Sequence, residues 1–573
     1  MSLDGTVVKN LVYEINNRIK EGRIDKIYQN KNDLLINIRA RGQKEKLFIS
    51  ISGSPRIYFS HENFETLQNP PAFCMLLRKH LENNQILEVS QYKMDRIIKI
   101  MVKSLDELGE YSKKSLIIEL MGKHSNVILI DEDNKKIIDS LKRINFNLSS
   151  VREILPGLTY NEEDISQGLN PCELNSLSEI IKNSEKNVNL KSFFLKEFTG
   201  ISPQMCRELE YRTNIDFKKN VSSLNDSEIN DLEENFLEIF KNIRENKFEP
   251  IKIYRDGLFK DFYSINLNEL GEDEKVKVKS TSSLLEEYYN SKFLRDSLGS
   301  KSKELKKSVR KHIDKIKRKL SNQANELNTA LNREKFKIYA DLISSNFYKI
   351  EKGDNSVTVE NFYNEMEEIK IPLDPTLDGP SNASKYYKKY SKLKNAAIFL
   401  TEQIEIGKSE ISYLESILLN IDLAESPDEI DDIYEELEKE GYLKKKKKKK
   451  KIKKKKDSEE NYIKIKTEDG FDIFVGKNNR QNDYLTHKKA KKNDLWFHVK
   501  DAPGSHVILK NDNRDFTNNA LLTAAKVAAK YSSLSKSQNI PVDYTFKANV
   551  KRHPANKPGL VNYTNYKTIN VNI

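Results

Sequence analysis

The stretch NDLWFHVKDAPGSHVIL, residues 493–509, holds the only tryptophan, Trp496, and two of the eight histidines, His498 and His506. Two imidazoles can share a metal or pass a proton, and an indole among cations can stack on a base. If Asp501–Gly504 closes a four-residue hairpin loop, Val499 pairs with His506 and His498 with Val507. Alternation along the strands then sends the imidazoles to opposite faces, where they share neither metal nor proton. A metal wants three or four ligands and no cysteine lies in this part of the chain, so no metal site is expected. Trp496, His498 and Lys500 fall on one strand face, which suits stacking on bases or packing on ribose and phosphate. A plain core tryptophan is the alternative.

A second candidate is ELMGKHSN, where Glu119, Lys123 and His124 stand together. Acid–base work needs a nucleophile or a metal beside them, and the sequence supplies neither, so the stretch reads as a binding turn. Cys74, Cys172 and Cys206 are too far apart for a CxxC zinc site and make no disulfide framework, which points to a reducing compartment. No GxSxG, P-loop, HExxH or Rossmann glycine pattern occurs. The expectation is a protein that is not an enzyme and carries no cofactor.

Charge points elsewhere. Of the formal +12, residues 444–456 (KKKKKKKKIKKKK) carry twelve lysines, and residues 457–573 hold 19 Lys+Arg against 12 Asp+Glu. Residues 1–443 are left at −7. A basic C-terminal part on a mildly acidic body suggests a polyanionic partner at one end, and a solvated linker is the plain reading of the lysine run. No apolar run approaches the roughly 18 residues of a membrane span. The start, MSLDGTVVKN, has no apolar signal region, so a cytoplasmic protein is expected.

The elements that must position these residues follow from periodicity. DGTVVKNLVYEINNRI repeats apolar residues as a helix does, and alternating segments with turn signals at Arg41-Gly42 and Asp131–Asn134 read as hairpins. PPAFCMLLRKHL is a helix opened by proline. FFLKEFTGISPQMCRELEYR, residues 193–212, reads as helix, tight turn at Gly200, helix. Such a turn could point backbone N–H groups outward at a phosphate, although an ordinary turn between two helices fits equally well. Two seams follow: Leu305, Val309, Ile313, Ile316, Leu320, Ala324, Leu327 and Leu331, then Leu393, Ala397, Leu400, Ile404, Gly407, Ile411, Leu414, Leu418 and Ile421. Separated by a non-helical piece, they imply an antiparallel coiled-coil hairpin, an arm on the order of 75 Å long, with a pair of intermolecular coiled coils as the alternative. Residues 458–573 read as a compact α/β unit with an Asp469-Gly470 hairpin turn.

Several of these stretches resemble the NFACT family over essentially the whole chain. GKNNRQNDYLTHKKAKKNDLWFHVKDAPGSHVIL and PVDYTFKANVKRHPANKPGLVNY resemble its C-terminal NFACT-R domain. DGTVVKNLVYEI, KMDRI and IELMGKHSNVIL resemble its NFACT-N domain, and IPLDPTLDGPSNASKYYKKYSKLKNA resembles the start of its second coiled-coil helix. The resemblance implies a multidomain α+β protein: a glycosylase-like N-terminal α/β domain (1–175), a helix-hairpin-helix domain (176–283) and a coiled-coil hairpin (284–443, insertion 351–382). A lysine-rich linker (444–457) and an RNA-binding α/β domain (458–573) complete it. It further implies a ribosome quality-control factor that binds 50S subunits, through 23S rRNA, when they are blocked by peptidyl-tRNA. Such a factor recruits alanyl-tRNA and directs untemplated alanine tailing that marks the stalled chain for degradation, assisted by an RqcP-like small RNA-binding protein. Carried over residue by residue, tRNA handling falls on Asp95, Arg96, Glu119, Met121, Gly122, Lys123 and His124. The rRNA surface falls on Lys488, Lys489, Lys491, Lys492, Trp496, His498, Lys500 and His506. Two other classes compete. DNA glycosylases of the formamidopyrimidine type need an N-terminal proline nucleophile, where Ser2 and Leu3 stand here, and a four-cysteine finger. A fibronectin-binding surface adhesin, a name some family members carry, needs export.

Overall fold

The computed structural model describes residues 3–105, 110–147, 152–163, 165–184, 187–444 and 461–573. Most of the lysine run, residues 445–456, lies outside the described residues. The chain is a multidomain α+β protein with two compact units, residues 1–293 and 294–573.

The first unit opens with α1 (Gly5–Ile19), capped by Asp4, whose carboxylate accepts from the Val7 N–H at 3.1 Å. Next come β1 (Arg23–Asn30), β2 (Asp33–Ala40), β3 (Gln43–Ser50), β4 (Arg56–Phe59), α2 (Ala72–Leu81) and β5 (Gln85–Gln91). Four more strands complete the sheet: β6 (Ile97–Leu105), β7 (Tyr111–Glu119), β8 (Asn126–Asp131) and β9 (Ile137–Ser140). All nine pair antiparallel in the order β4-β3-β2-β1-β5-β6-β7-β8-β9. The β2–β3 turn sits on Arg41 and Gly42, both at positive φ (49° and 76°), as a two-residue hairpin of matched twist requires. Alternation sorts the central strands: Ile98, Ile100, Leu116, Ile118, Val127 and Leu129 join the core under α1 and α2. Ile97, Ile117, Ile128 and Ile130 pack on the opposite face with Ile154 and Tyr160.

The same core runs on into α3 (Ser178–Asn183), α4 (Leu190–Glu197), α5 (Pro203–Thr213) and α6 (Asp226–Arg244). Three short strands follow, β10 (Ile251–Arg255), β11 (Leu258–Tyr263) and β12 (Lys275–Lys277). The α4–α5 turn is built on a close backbone contact while its Phe198–Pro203 residues line an open cleft. Gly200 lies back-to-back with Gly5, its carbonyl accepting from Gly5 N at 3.0 Å, and a Cβ on Gly200 would sit 1.9 Å from the Met94 carbonyl oxygen. Its missing side chain serves close approach of three backbone segments.

Helix α7 (Thr281–Leu331) starts in the first unit, where Glu14 of α1 accepts from the Thr281 and Ser282 N–H groups at 2.6 and 3.1 Å. A carboxylate at a helix N-terminus satisfies orphan donors and opposes the dipole. In the second unit α7 runs antiparallel to α9 (Gly379–Leu423). Lys317 pairs with Glu415 at 3.9 Å, Lys306 with Asp422, and Gly407 lies where any Cβ would meet Leu320. The second seam packs as its spacing predicts, but the first changes step beyond Leu320. Ala330 is buried and Leu327 half-buried, while Ala324 and Leu331 are exposed, because one step of four becomes three. The piece between the helices also holds more than a non-helical break. It comprises α8 (Glu334–Ser345) and a hairpin of β13 (Ser356–Asn361) with β14 (Glu367–Pro372), and α9 already starts at Gly379 behind the cap Asp378.

After α10 (Pro427–Lys439), the C-terminal domain comprises β15 (Ile463–Lys466), β16 (Asp472–Val475), α11 (Asn479–Tyr484), β17 (Leu495–Val499), β18 (Val507–Leu509) and α12 (Asn518–Lys530). Then follow β19 (Ile540–Phe546), β20 (Val550–Arg552), β21 (Val561–Tyr563) and β22 (Lys567–Val571). The six-stranded sheet has the order β15-β16-β18-β17-β19-β22. The alanines of α12 cover one face, with Ala520, Ala524, Ala525, Ala528 and Ala529 fully buried, so helix and sheet approach closely.

Candidate nucleic-acid interface

Two turns meet at one end of the nine-stranded sheet. Residues Tyr92–Arg96 join β5 to β6, and Leu120–Ser125 join β7 to β8. Since Ile97 pairs with Glu119, the strands deliver both turns side by side, and the Leu120 N–H donates to the Arg96 carbonyl at 2.9 Å. Asp95 is held by accepting from the Arg96 N–H at 2.7 Å, while Gln91 Nε2 donates to the Asp95 carbonyl at 2.8 Å. Asp95 and Arg96 are half-buried and line a cleft of 430 Å³. Ser166, Gln167, Lys196 and the Phe198–Pro203 turn also line it. The geometry thus gathers Asp95 and Arg96 beside Met121–His124, and it adds the α4–α5 turn, which no spacing in the sequence links to them.

Within the second turn the roles divide. Lys123 and His124 are exposed, Gly122 takes a left-handed φ of 61°, and Met121 packs half-buried against Ile97 and Tyr160 of the outer-face cluster. Glu119 does not face solvent. It is fully buried, ion-paired to Arg152, and accepts from the Tyr160 hydroxyl at 2.8 Å. Burial and the facing carboxylate push the Tyr160 phenol up, so it stays a donor. Glu119 therefore fastens residues 152–160 to the sheet instead of reaching a nucleic acid. Its strand position and buried neighbours leave it no route outward.

In the C-terminal domain the expected register of the two histidines is overturned. Phe497 pairs with Val507 and Trp496 with Ile508, which places His498 and His506 in line on the same face. Their rings are 5.5 Å apart and nearly perpendicular. The cause is the loop. Ser505 N donates to the Tyr531 carbonyl and Ser533 N to the Pro503 carbonyl, so residues 500–506 fold onto the end of α12 instead of closing a four-residue hairpin. Meanwhile β17 continues alone against β19, His498 opposite Asp543. Trp496 is fully buried, stacked on His498 at 5.6 Å and edge-on to His506 at 5.2 Å, in a cluster with Leu485, Ile508 and Val550. His506 is 2% exposed, with Thr486 Oγ1 2.7 Å from its Nδ1 and its backbone N–H donating to Asn482 Oδ1 at 3.0 Å. Burial, then the neighbouring His498 and His487, drive its pKa well below the ordinary imidazole value; burial also lowers that of His498. Trp496 and His506 are thus core, and no cluster of three or more metal-ligating side chains forms among the described residues.

The basic residues do face outward. Lys488, Lys489, Lys491 and Lys492 are exposed on the segment after α11, and Lys500 is half-exposed with its ammonium over the Tyr566 ring at 5.6 Å. Lys551 and Arg552 of β20 are exposed as well, and the Ala548 N–H donates to the Lys492 carbonyl at 3.3 Å, which ties the two basic segments together. Charges of this kind position a phosphate backbone without reading sequence.

Comparison with known proteins agrees with this architecture. Residues 4–456 match the NFACT N-terminal and middle domains and residues 461–565 the NFACT protein RNA binding domain, so the chain belongs to the NFACT family. Among individual proteins it is similar to two relatives named Rqc2 homolog RqcH. That of Bacillus subtilis is 34% identical over 575 residues, covering 99% of this chain and 97% of the relative. That of Streptococcus suis is 35% identical over 576 residues, covering 100% and 98%. Ribosome quality control and RNA binding are the roles these memberships support. A solved N-terminal part of a fibronectin/fibrinogen-binding protein from Streptococcus suis is 30% identical and covers 50% of this chain and 99% of that one. Its TM-score of 0.42 carries no structural argument. Among the described residues no helix is long and apolar enough to cross a membrane.

Proposed function

We propose that the chain is a cytoplasmic factor that binds 50S subunits still blocked by peptidyl-tRNA, brings alanyl-tRNA to them and directs untemplated alanine tailing of the stalled chain. Peptide-bond formation stays with the ribosome, so the protein positions substrates and is not itself the catalyst. The basic C-terminal domain holds 23S rRNA, an RqcP-like small RNA-binding protein is the expected partner, and the N-terminal turns handle tRNA. The observation that carries this reading is the joining of the Asp95–Arg96 turn to the Leu120–Ser125 turn, with Asp95 and Arg96 lining an open cleft and Lys123 and His124 exposed on the adjoining turn. Arginine can fork onto phosphate or stack on an unpaired base, and aspartate can accept from base amino groups. The test is the pair Asp95→Ala with Arg96→Ala. Tailing should be abolished while sedimentation with 50S particles persists. Equal loss of both activities in a folded variant removes the separation of roles.

A further inference from the structure

The sequence KSKELKKSVRKHIDKIKRKL, residues 301–320 of α7, carries ten Lys+Arg against two acids, Glu304 and Asp314. The cations divide into two groups. On the flanks of the coiled coil, Lys301, Lys306 and Lys317 pair with Asp431, Asp422 and Glu415. Lys303, Lys307, Lys311, Lys315 and Lys319 recur every four residues, all are exposed, and none forms an ion pair among the described residues. They make one row that rises about 24 Å and winds about 160° round the helix, with the exposed Arg310 and Arg318 beside it.

Such a ridge is costly for folding. Like charges at i and i+4 destabilise a helix, and here four such pairs follow one another. A surface shaped only by solubility mixes signs, as the paired flanks do. From the repeat, its exposure and the absence of ion pairs to its five lysines among the described residues, we infer that this ridge is a docking surface for the phosphate backbone of RNA, separate from the C-terminal domain. A protein partner is less suited, because a protein interface needs an apolar centre and no large exposed hydrophobic side chain lies between Leu294 and Leu331. Phosphate needs only the cations. The inference deepens the proposed function by adding a second RNA-binding surface, and its test does not depend on tailing.

The test is the full-length chain with Lys303, Lys307, Lys311, Lys315 and Lys319 each replaced by Gln, against a control with Gln at the scattered exposed Lys20, Lys26, Lys44, Lys218 and Lys260. Binding to a 20-base-pair RNA duplex is followed by fluorescence anisotropy from low to moderate salt. Each phosphate that a lysine no longer neutralises makes the log–log slope shallower by about 0.9, so with four of the five lysines reaching one duplex the ridge variant should lose about 3.6 units of slope and the control much less. Its helical thermal transition should be unchanged or raised, since the i,i+4 repulsion is gone. An unchanged slope, or an equal loss in the control, overturns the inference. Competition by polyglutamate as strong as by RNA of equal charge would assign the ridge to an acidic protein and overturn it too. Tailing retained in the Asp95–Arg96 variant would count against the proposed function and leave this result untouched, so the two readings fail separately.

Discussion

Acidification is the perturbation that bears most directly on the histidine cluster. Burial drives the His506 pKa well below the ordinary imidazole value and lowers that of the half-buried His498, and the titratable groups facing them are His487, Asp543 and each other. An unfolded imidazole titrates near about 6.5. Above that value folded and unfolded chains hold the same protons and the cluster adds no pH dependence. Below it the unfolded chain takes up protons that the fold refuses, so stability is lost as the pH falls. An imidazole that stays neutral in the fold, as the buried His506 does, costs about 1.4 kcal/mol between pH 7.5 and 5.5, and His498 adds a smaller loss of the same sign. That is a measurable share of the roughly 5–15 kcal/mol that holds an ordinary domain. Glu436, whose pKa burial pushes up to about 7, works in the opposite direction, gaining stability as the pH falls from 7 toward 4.5. It lies in α10, outside the C-terminal sheet.

The assay uses the protein's own reporter. Trp496 is the only tryptophan and stacks on His498, so its fluorescence follows the C-terminal domain alone. Urea unfolding of the full chain at pH 7.5, 6.5 and 5.5, in wild type and His506→Asn, separates the cluster from Glu436, which both proteins share. The variant starts less stable, but its loss on acidification should be smaller by about 1.4 kcal/mol. Parallel pH dependences for the two proteins would refute the argument that His506 is a buried neutral imidazole.

Three further outcomes follow from the packing. Gly200→Ala adds a Cβ 1.9 Å from the Met94 carbonyl oxygen at a φ of +79°. It should cost about 2–5 kcal/mol, lowering the circular-dichroism transition of the first unit while the Trp496 transition stays put. Arg152→Ala leaves the Glu119 carboxylate buried and without its ion-pair partner. A loss of about 3–5 kcal/mol is expected, read as faster amide exchange in β7 and β8, and partly recovered by adding Glu119→Gln. Deleting Lys444 to Lys456 should make the salt dependence of 50S binding shallower if those lysines touch rRNA, and an unchanged slope would mark them as a linker.

What could be read from the sequence, and what could not, divides by the range of the interactions involved. The Arg41-Gly42 hairpin, the alternation of the central strands and the seam from Leu393 to Ile421 rest on local periodicity and turn chemistry, and each appears as its spacing predicts. The meeting of Asp95 and Arg96 with Met121–His124 needed the strand order, which their own residue types do not encode. The register of His498 and His506 shows the limit most clearly. A loop of Asp-Ala-Pro-Gly favours a tight turn locally, yet Tyr531–Ser533, some thirty residues away, supplies the partners that pull residues 500–506 out of it. Glu119 teaches the same lesson, since a carboxylate in a conspicuous turn motif is claimed by Arg152 and Tyr160 from beyond β9. A long-range partner cancels a functional assignment only when it buries the group. The lysines of the C-terminal domain and of α7 therefore remain candidates for RNA, because their ammonium groups stay at the surface, within reach of a phosphate.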